Sequence, residues 1–208
     1  MGFETWEPRV IVPVVPELAV APLGAGLGWS ELEQRVRGCT ECPLHTGRTQ
    51  VVFGAGSRTA PWMFVGEAPG ADEDRLGEPF VGRAGQLLTS ILFALGFQRD
   101  EVYLANVLKC RPPANRNPAE EEIAACSSYL QRQIELVSPR ILVAMGRFAA
   151  HSLLGTEEPL SRLRGHLHHY HETPLVVTYH PAYLLRNPVD KRKVWADLLL
   201  GRRRLALP

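Results

Sequence analysis

The chain of 208 residues lacks the features that mark membrane proteins, polycations and repeat proteins. No apolar run approaches the roughly 18 residues that a membrane-spanning helix needs. The formal net charge is only +1, from 23 basic and 22 acidic residues, which excludes a bulk polycation or an acidic tail protein. Internal repeats and low-complexity tracts are also absent. The overall composition, with 45% hydrophobic and 22% charged residues, is typical of a globular domain.

The first residues do not have the pattern of a signal peptide. Glu4 and Glu7 precede the Val-rich stretch, and Pro13 and Pro16 interrupt it. We therefore expect a cytoplasmic protein, in a compartment where thiols stay reduced. The chain has only four cysteines, and under reducing conditions they favour a metal site or catalysis over disulfides.

The glycine-rich segments lack the residues that nucleotide binding requires. Residues 54–59 have no third glycine for a dinucleotide fingerprint, and residues 82–86 have no Lys-Ser/Thr pair for a P-loop. The segment from Gly66 to Gly70 instead indicates a tight turn after a strand, where backbone amides can approach a ligand closely. A nucleotide-binding function is therefore not supported.

Short apolar runs alternate with segments of helical periodicity along most of the chain. Strands are predicted at 62–66, 102–107, 140–145 and 175–179. Helices are predicted at 30–37, 84–95, from 117 onward, 148–154 and 189–200. This alternation predicts an α/β fold, a three-layer α/β/α sandwich with a central, mostly parallel sheet. The site of such a fold lies beyond the carboxyl ends of the strands.

Prolines and capping residues predict where the domain and two of its helices begin. Residues 1–28 are rich in Pro and Gly, which predicts an N-terminal tail in front of a domain spanning 29–208. Ser30 is predicted to cap the first helix, with Glu33 completing a capping box. Asn117 is predicted to cap a later helix that has a proline in its first turn.

The cysteines are spaced in a way that favours a metal site. Cys39 and Cys42 form a C-x2-C pair whose turn can point both sulfurs to the same side, and Cys110 and Cys126 follow later in the chain. A zinc ribbon would need a second C-x2-C pair, which is absent. Four thiolates from three segments suit a [4Fe–4S] cluster at least as well. Spacing alone leaves iron–sulfur and zinc nearly equal, with a redox pair plus two buried cysteines as the other alternative.

Histidines occur in two settings. His180 follows a predicted strand and precedes a proline, where a histidine can donate a hydrogen bond to developing negative charge. His166, His168, His169 and His171 form a dense group that is predicted to be a solvated surface loop.

Basic residues are unevenly placed on this nearly neutral chain. Lys109, Arg111 and Arg116 follow one strand in a proline-stiffened loop. Residues 186–204 hold seven Lys or Arg against two Asp. A local basic rim suits binding to a phosphate backbone, although a merely solvated C-terminal helix would show the same pattern.

Several segments together resemble one known family. Residues 66–74 and 77–88 closely resemble the first motif of family 4 uracil-DNA glycosylases, residues 106–113 resemble its middle motif, and residues 180–185 its last. The resemblance spans about residues 30 to 200. It implies that Cys39, Cys42, Cys110 and Cys126 are the ligands of a [4Fe–4S] cluster.

The resemblance implies a DNA repair enzyme of base excision repair. Such an enzyme flips deoxyuridine out of single- or double-stranded DNA and hydrolyses its N-glycosidic bond, leaving an abasic site. Phe80 would stack on the uracil ring, and the Asn106 amide would donate to O4 and accept from N3–H. Gly66 and Ala68 would line the pocket, and Glu73 would close the space beside C5, where thymine carries its methyl group. We expect the enzyme to act as a monomer, with no membrane partner.

The same resemblance implies a mechanism and a set of DNA contacts. Better-known members of the wider superfamily have a water-activating aspartate where this chain has Ala68. Catalysis should then depend on the leaving group, with His180 donating to O2 of the uracil anion and Glu67 as a candidate to orient the water. The expected DNA contacts are Lys109, Arg111, Leu184 and Arg186.

Two functions of other classes compete with this prediction. One is a catalytically inactive iron–sulfur module that binds DNA, which an intact set of Phe80, Asn106 and His180 disfavours. The other is a metal-bearing redox protein using Cys39 and Cys42, which predicts no role for Asn106. A uracil-release assay separates the first from an enzyme, and iron–sulfur absorbance in the visible range excludes zinc.

Overall fold

The computed structural model describes residues 26–205, so most of the predicted tail at 1–28 lies outside the described residues. The strands are β1 (Ala55–Gly56), β2 (Trp62–Gly66), β3 (Tyr103–Asn106), β4 (Ile141–Met145), β5 (Leu167–Tyr170) and β6 (Thr173–Thr178). The helices are α1 (Trp29–Arg37), α2 (Ala71–Leu76), α3 (Arg83–Ala94), α4 (Glu120–Val137), α5 (Arg147–Leu154), α6 (Leu160–Leu163), α7 (Pro181–Arg186) and α8 (Lys191–Leu205). None of these helices is both long and apolar enough to span a bilayer.

The six strands form one sheet in the order β1-β3-β2-β4-β6-β5. The four central strands are parallel, and the short edge strands β1 and β5 each pair antiparallel with their neighbour. The register aligns Gly66 with Asn106, so the ends of β2 and β3 coincide. The prediction of a mostly parallel central sheet is confirmed.

Helices cover both faces of this sheet, so its central strands are buried on both sides. Met63 and Val65 of β2 face a core that includes side chains of α1, α4, α5 and α6. Trp62 and Phe64 alternate with them and face a second core formed with α3, α7 and α8. Alternate side chains of a strand point to opposite faces, so one continuous apolar run supplies both cores. The three-layer sandwich is therefore confirmed.

The predicted caps of α1 and α4 are wrong. Gly28 precedes α1, and its N–H donates to Glu31 Oε2 at 3.0 Å, while Ser30 already lies in the first turn. Helix α4 begins at Glu120, two residues after the proline of the predicted start. At the start of each helix, the carboxylate of a first-turn glutamate accepts a hydrogen bond from the N–H of the capping residue, so the capping residue needs no polar side chain.

The structure differs from the prediction at other elements as well. In the histidine-rich segment, His168 and His169 lie not in a loop but in the edge strand β5, where His168 is opposite Leu175 of β6. Helix α7 lies between the last strand and the last helix, where no helix was predicted; Pro181 at its first position is the signal that would have indicated it. The last helix begins at Lys191 and continues to Leu205, beyond the predicted end at residue 200.

Candidate active site

A cavity of about 190 Å³ lies at the carboxyl ends of β2, β3 and β6. This is where the topology of a parallel sheet predicts a ligand site. Its walls include six of the predicted site residues: Glu67, Ala68, Glu73, Phe80, Asn106 and His180. Segments separated by more than a hundred residues in the sequence therefore meet at one surface.

Asn106 lines this cavity and has an unused hydrogen-bond acceptor. The residue is 2% exposed, and its Oδ1 has no hydrogen-bond partner among the described residues. The neighbouring strand leaves room for that oxygen only because Gly66 has no side chain. A Cβ at Gly66 would lie 2.5 Å from Asn106 Oδ1 and 2.5 Å from Phe80 Cζ. An unpaired buried acceptor costs about 1–3 kcal/mol, which a ligand N–H would recover.

The Phe80 ring is held in place by strained backbone and by a carboxylate. Phe80 adopts a φ of 56°, in the left-handed region that non-glycine residues rarely occupy. The Glu73 carboxylate accepts hydrogen bonds from the N–H groups of Val81 and Gly82, both at 2.9 Å. Gly85 permits the tight loop, since a Cβ there would collide with the Phe80 carbonyl. Glu73 therefore fixes the loop that carries the aromatic wall of the cavity.

His180 is a neutral hydrogen-bond donor. Its Nδ1 accepts a hydrogen bond from the Ala182 N–H at 3.2 Å, which assigns the proton to Nε2. Burial lowers the pKa of His180 to about 4, although Glu73 acts in the opposite direction. The same contact caps α7, so the helix that follows β6 orients the ring.

Glu67 and Ala68 complete the wall that follows β2. Burial raises the pKa of the Glu67 carboxyl, and the Arg147 guanidinium partly offsets that effect. The main-chain carbonyl of Glu67 accepts from the Leu108 N–H at 3.0 Å, which extends the pairing of β2 with the chain after β3. Residue 68 supplies no carboxylate, because it is alanine and only its methyl group can line the cavity.

Known proteins are similar in sequence to this chain over most of its length. The model of the uracil DNA glycosylase superfamily matches residues 53–199. A type-4 uracil-DNA glycosylase of Thermotoga maritima is 46% identical over 75% of this chain and 82% of that protein. The chain belongs to the type-4 uracil-DNA glycosylases. A type-4 relative from Archaeoglobus fulgidus is 42% identical over 80% of this chain and 88% of its own length. A type-5 uracil-DNA glycosylase of Pyrobaculum aerophilum is more distant, at 33% identity over 61% of this chain.

In this type-4 member the mouth of the cavity has residues that the sequence did not assign to it. Asn115 and Arg116 line it together with Pro112. The Arg116 guanidinium donates to both carboxylate oxygens of Glu122, and Arg111 Nε donates to Asn115 Oδ1 at 2.8 Å. The basic cluster in the sequence pointed to Arg116, but only the fold brings it to the rim of the pocket.

The four cysteines of this family member surround a second, small cavity. All four are free; Cys110 and Cys126 are buried, and Cys39 and Cys42 are half-buried. Burial raises the pKa of Cys126 to about 12. Thiols in such surroundings become thiolates when a cation is bound among them.

The chemistry around this cysteine cavity can be compared with the needs of a metal ion and of a cluster. Within residues 26–205, no group of three or more His, Cys, Asp or Glu side chains is placed to hold one metal ion. A [4Fe–4S] cluster binds one thiolate per iron, so its ligands surround a space instead of converging on one point. Arg48 Nη1 donates to Cys110 Sγ at 3.1 Å, and the buried Tyr129 hydroxyl at the same cavity has no partner among the described residues. Four thiols with donors around them match the ligand set of such a cluster.

Two of the predicted DNA contacts are wrong. Lys109 is 1% exposed, and its Nζ donates to Asn106 O at 2.8 Å and to Gln133 Oε1 at 2.6 Å. Leu184 is fully buried in the core beneath α7. Its neighbour Leu185 is 41% exposed, and Arg186 is also exposed. Arg111 lies partly at the surface, so Arg111 and Arg186 keep access to solvent.

Proposed function

We propose that this chain removes uracil from DNA by hydrolysing the N-glycosidic bond of deoxyuridine. The observation that carries the proposal is the unpaired, buried Oδ1 of Asn106 in the wall of the cavity. Uracil N3–H supplies the donor that this oxygen lacks, and the Asn106 amide donates to uracil O4. Cytosine has an acceptor at N3 and a donor at C4, so it would leave both groups of Asn106 unpaired. The sequence similarity to type-4 uracil-DNA glycosylases supports the same reaction.

Substrate binding requires the nucleotide to leave the DNA stack, because no duplex fits into the cavity. The flipped uracil stacks on Phe80, a contact that depends on ring area and not on charge. The Phe80 and His180 rings are 6.0 Å apart between centroids. In the proposed complex, the polar edge of a base stacked on Phe80 faces Asn106 and His180, which line the same cavity.

The chemical step depends on stabilising the departing uracil anion. The C1′–N1 bond breaks with its electron pair on uracil, leaving an oxocarbenium-like sugar, and His180 Nε2–H donates to O2 of the anion. The neutral state of His180 suits this role, since the proton stays on Nε2 throughout. Water, oriented by Glu67 at the cavity wall, then adds to C1′, and the proton that it loses passes through solvent to the uracil anion, so the products are neutral uracil and the abasic sugar. Ala68 provides no base, so bond breaking limits the rate.

DNA binds across the rim of the cavity. Arg111 and Arg186 contact backbone phosphates, and Arg116 lies at the mouth where the flipped nucleotide enters. Such contacts bind uracil-containing and undamaged DNA alike and weaken with salt. Single-stranded and double-stranded DNA both satisfy this interface, and the protein acts on them as a monomer in the reducing cytoplasm.

The cysteine cavity holds a [4Fe–4S] cluster in this proposal, with Cys39, Cys42, Cys110 and Cys126 as its ligands. When bound there, the cluster would supply a cross-link and no catalytic group. Its ligands come from the segment after α1, the loop after Asn106 and α4, which carries Cys126, so these three segments would be tied together. The loop after Asn106 continues to Arg111 and Arg116, so the cluster indirectly supports the rim of the cavity.

The test is incubation of the purified protein with oligonucleotides that differ at one base: uracil, thymine or cytosine. We expect abasic sites only where uracil was present, detected by strand cleavage in alkali. Asn106→Ala should lower the single-turnover rate on uracil by at least about tenfold, because two hydrogen bonds are lost. Absence of uracil release by the iron-loaded wild-type protein would overturn the proposal.

A further inference from the structure

Lys109 is buried between the two cavities, and nothing in the proposed reaction uses it. Its side chain lines the cysteine cavity, and its Nζ donates to Asn106 O at 2.8 Å. A buried ammonium is costly unless it is well hydrogen-bonded, so its presence here requires a specific partner. That partner is the main chain of the residue proposed to recognise uracil.

The ammonium is itself anchored on the other side. Gln133 of α4 accepts from Lys109 Nζ at 2.6 Å through Oε1. The Gln133 Nε2 group donates to Phe53 O at 2.8 Å and to the Tyr103 hydroxyl at 3.1 Å. Gln133 has no exposed surface, so this network is sealed within the core and has one preferred arrangement.

Asn106 needs such an anchor because it is the last residue of β3. On one side, the Val107 N–H donates to Gly66 O at 3.0 Å. On the other side, the Asn106 carbonyl leaves the ladder and accepts from Lys109. The orientation of this peptide sets where the unpaired Oδ1 points in the cavity.

We propose that Lys109 is a positioning residue that holds the Asn106 main chain and so aims its amide at the uracil edge. The inference rests on the proposed function, because it concerns the residue that reads the base. Lys109 also connects that residue to the cysteine cavity, since it lines this cavity together with Cys110 and Cys126. Filling the cysteine site therefore braces the base-reading strand as well as the rim.

The test measures binding without catalysis. Oligonucleotides carrying 2′-fluoro-2′-deoxyuridine or 2′-fluoro-2′-deoxycytidine resist cleavage, because the fluorine destabilises the sugar cation. The ratio of the two affinities reports how well Asn106 is aimed. Lys109→Met should lower this ratio about tenfold in the wild-type background, as expected for losing a hydrogen bond from a charged group. In the Asn106→Ala background the same substitution should leave the ratio unchanged.

A merely structural role gives a different pattern. If Lys109→Met lowered the ratio equally in both backgrounds, or in neither, the proposal would be overturned. Gln133→Met removes the anchor while keeping the ammonium. It should lower the affinity ratio by a smaller factor in the wild-type background and leave it unchanged in the Asn106→Ala background. It decides the question if Lys109→Met does not fold. Gln131→Met is the matched control, since Gln131 lies on the exposed side of α4.

Two further measurements separate this inference from the proposed function. Uracil release by the wild-type protein tests the function alone, because it does not depend on what Lys109 does. Iron content and visible absorbance of Lys109→Met report on the cysteine cavity. Iron content close to that of the wild type, together with the background-dependent ratio, supports positioning. A ratio that falls only in proportion to lost iron would overturn it.

Discussion

The ring of His180 lies 6.0 Å from the ring of Phe80 between centroids, tilted by 33°. Both rings line the same cavity as Asn106, whose buried side-chain oxygen has no hydrogen-bond partner among the described residues. A planar base on Phe80 can therefore receive a hydrogen bond from His180 at O2 and pair with the Asn106 amide through N3–H and O4. Because stacking, recognition and anion stabilisation are on three different residues, substitutions should separate binding from rate.

Replacement of His180 should lower the rate of the chemical step with little effect on DNA affinity. A preorganised donor to a developing anion contributes about 2.7–4 kcal/mol, so His180→Ala should cut the single-turnover rate by about 10²–10³. His180→Asn is the matched variant, because an amide can accept from the Ala182 N–H and still donate. It should recover part of the rate. An unchanged rate in His180→Ala, with activity abolished in Glu67→Gln, would instead indicate a base-driven mechanism.

The pH dependence should have no midpoint near 6.5, the ordinary pKa of histidine, because the pKa of His180 is lowered to about 4. Burial raises the pKa of Glu67, so it is protonated before His180 as the pH falls, but it acts after the rate-limiting bond breaking and its protonation should leave the rate unchanged. Below about pH 4, a proton on His180 Nδ1 would face the Ala182 N–H and displace the ring. Single-turnover rates measured from neutral pH down through about pH 4 check this. The acid limb should stay near pH 4 in Glu67→Gln, and a limb that moves in this variant would indicate a base-driven mechanism.

A methyl group at Gly66 should disable the base pocket. Its Cβ would lie 2.5 Å from both Asn106 Oδ1 and Phe80 Cζ, so one of these groups must move. Displacements of about 1 Å at a reacting centre cost about 10² in rate, and Gly66→Ala should lose a comparable factor. Gly47→Ala is the control, because no heavy atom lies within 4 Å of its Cβ position. Equal rates for the two variants would show that the Gly66 contact is unimportant.

Loss of one cysteine should reduce stability and iron content together. Cys110→Ser removes a proposed ligand that is buried and accepts a hydrogen bond from Arg48. A loss of about 3 kcal/mol would lower Tm by roughly 6–12 °C in a domain of this size. Thermal unfolding and iron analysis of the same preparation provide the measurement. Full stability and full iron content with activity alone abolished would contradict a structural cluster.

Arg111 should contribute affinity without base preference. Arg111→Ala should weaken binding to uracil-containing and undamaged DNA by the same factor. The slope of the logarithm of the binding constant against the logarithm of the salt concentration should decrease in magnitude by about 1. Arg140→Ala is the control, since Arg140 precedes β4 at the end of the sheet opposite the cavity. Filter binding at several salt concentrations measures both quantities. A selective loss for uracil-containing DNA would show that Arg111 reads the base.

The sequence predicted the architecture and much of the cavity for physical reasons that are local. Apolar runs followed by glycine or a polar residue mark buried parallel strands, and the carboxyl ends of such strands meet at one edge. Gly66, Asn106 and His180 each lie at or just after the end of such a strand, so the sequence alone predicts that they are close together. The motif that contains Phe80 identified the aromatic wall, although not the left-handed backbone that holds it.

Tertiary structure alone decided which polar and apolar side chains face solvent. Lys109 lies in a basic cluster that predicts a DNA contact, yet Asn106 O and Gln133 Oε1 hold it in the core. Leu184 and Leu185 are adjacent residues of the same type, but the way α7 packs on the sheet buries Leu184 and exposes Leu185. Burial depends on partners that are distant along the chain: Gln133 lies 24 residues from Lys109. No local pattern encodes such a partner, because its free energy arises only when the fold brings both groups together.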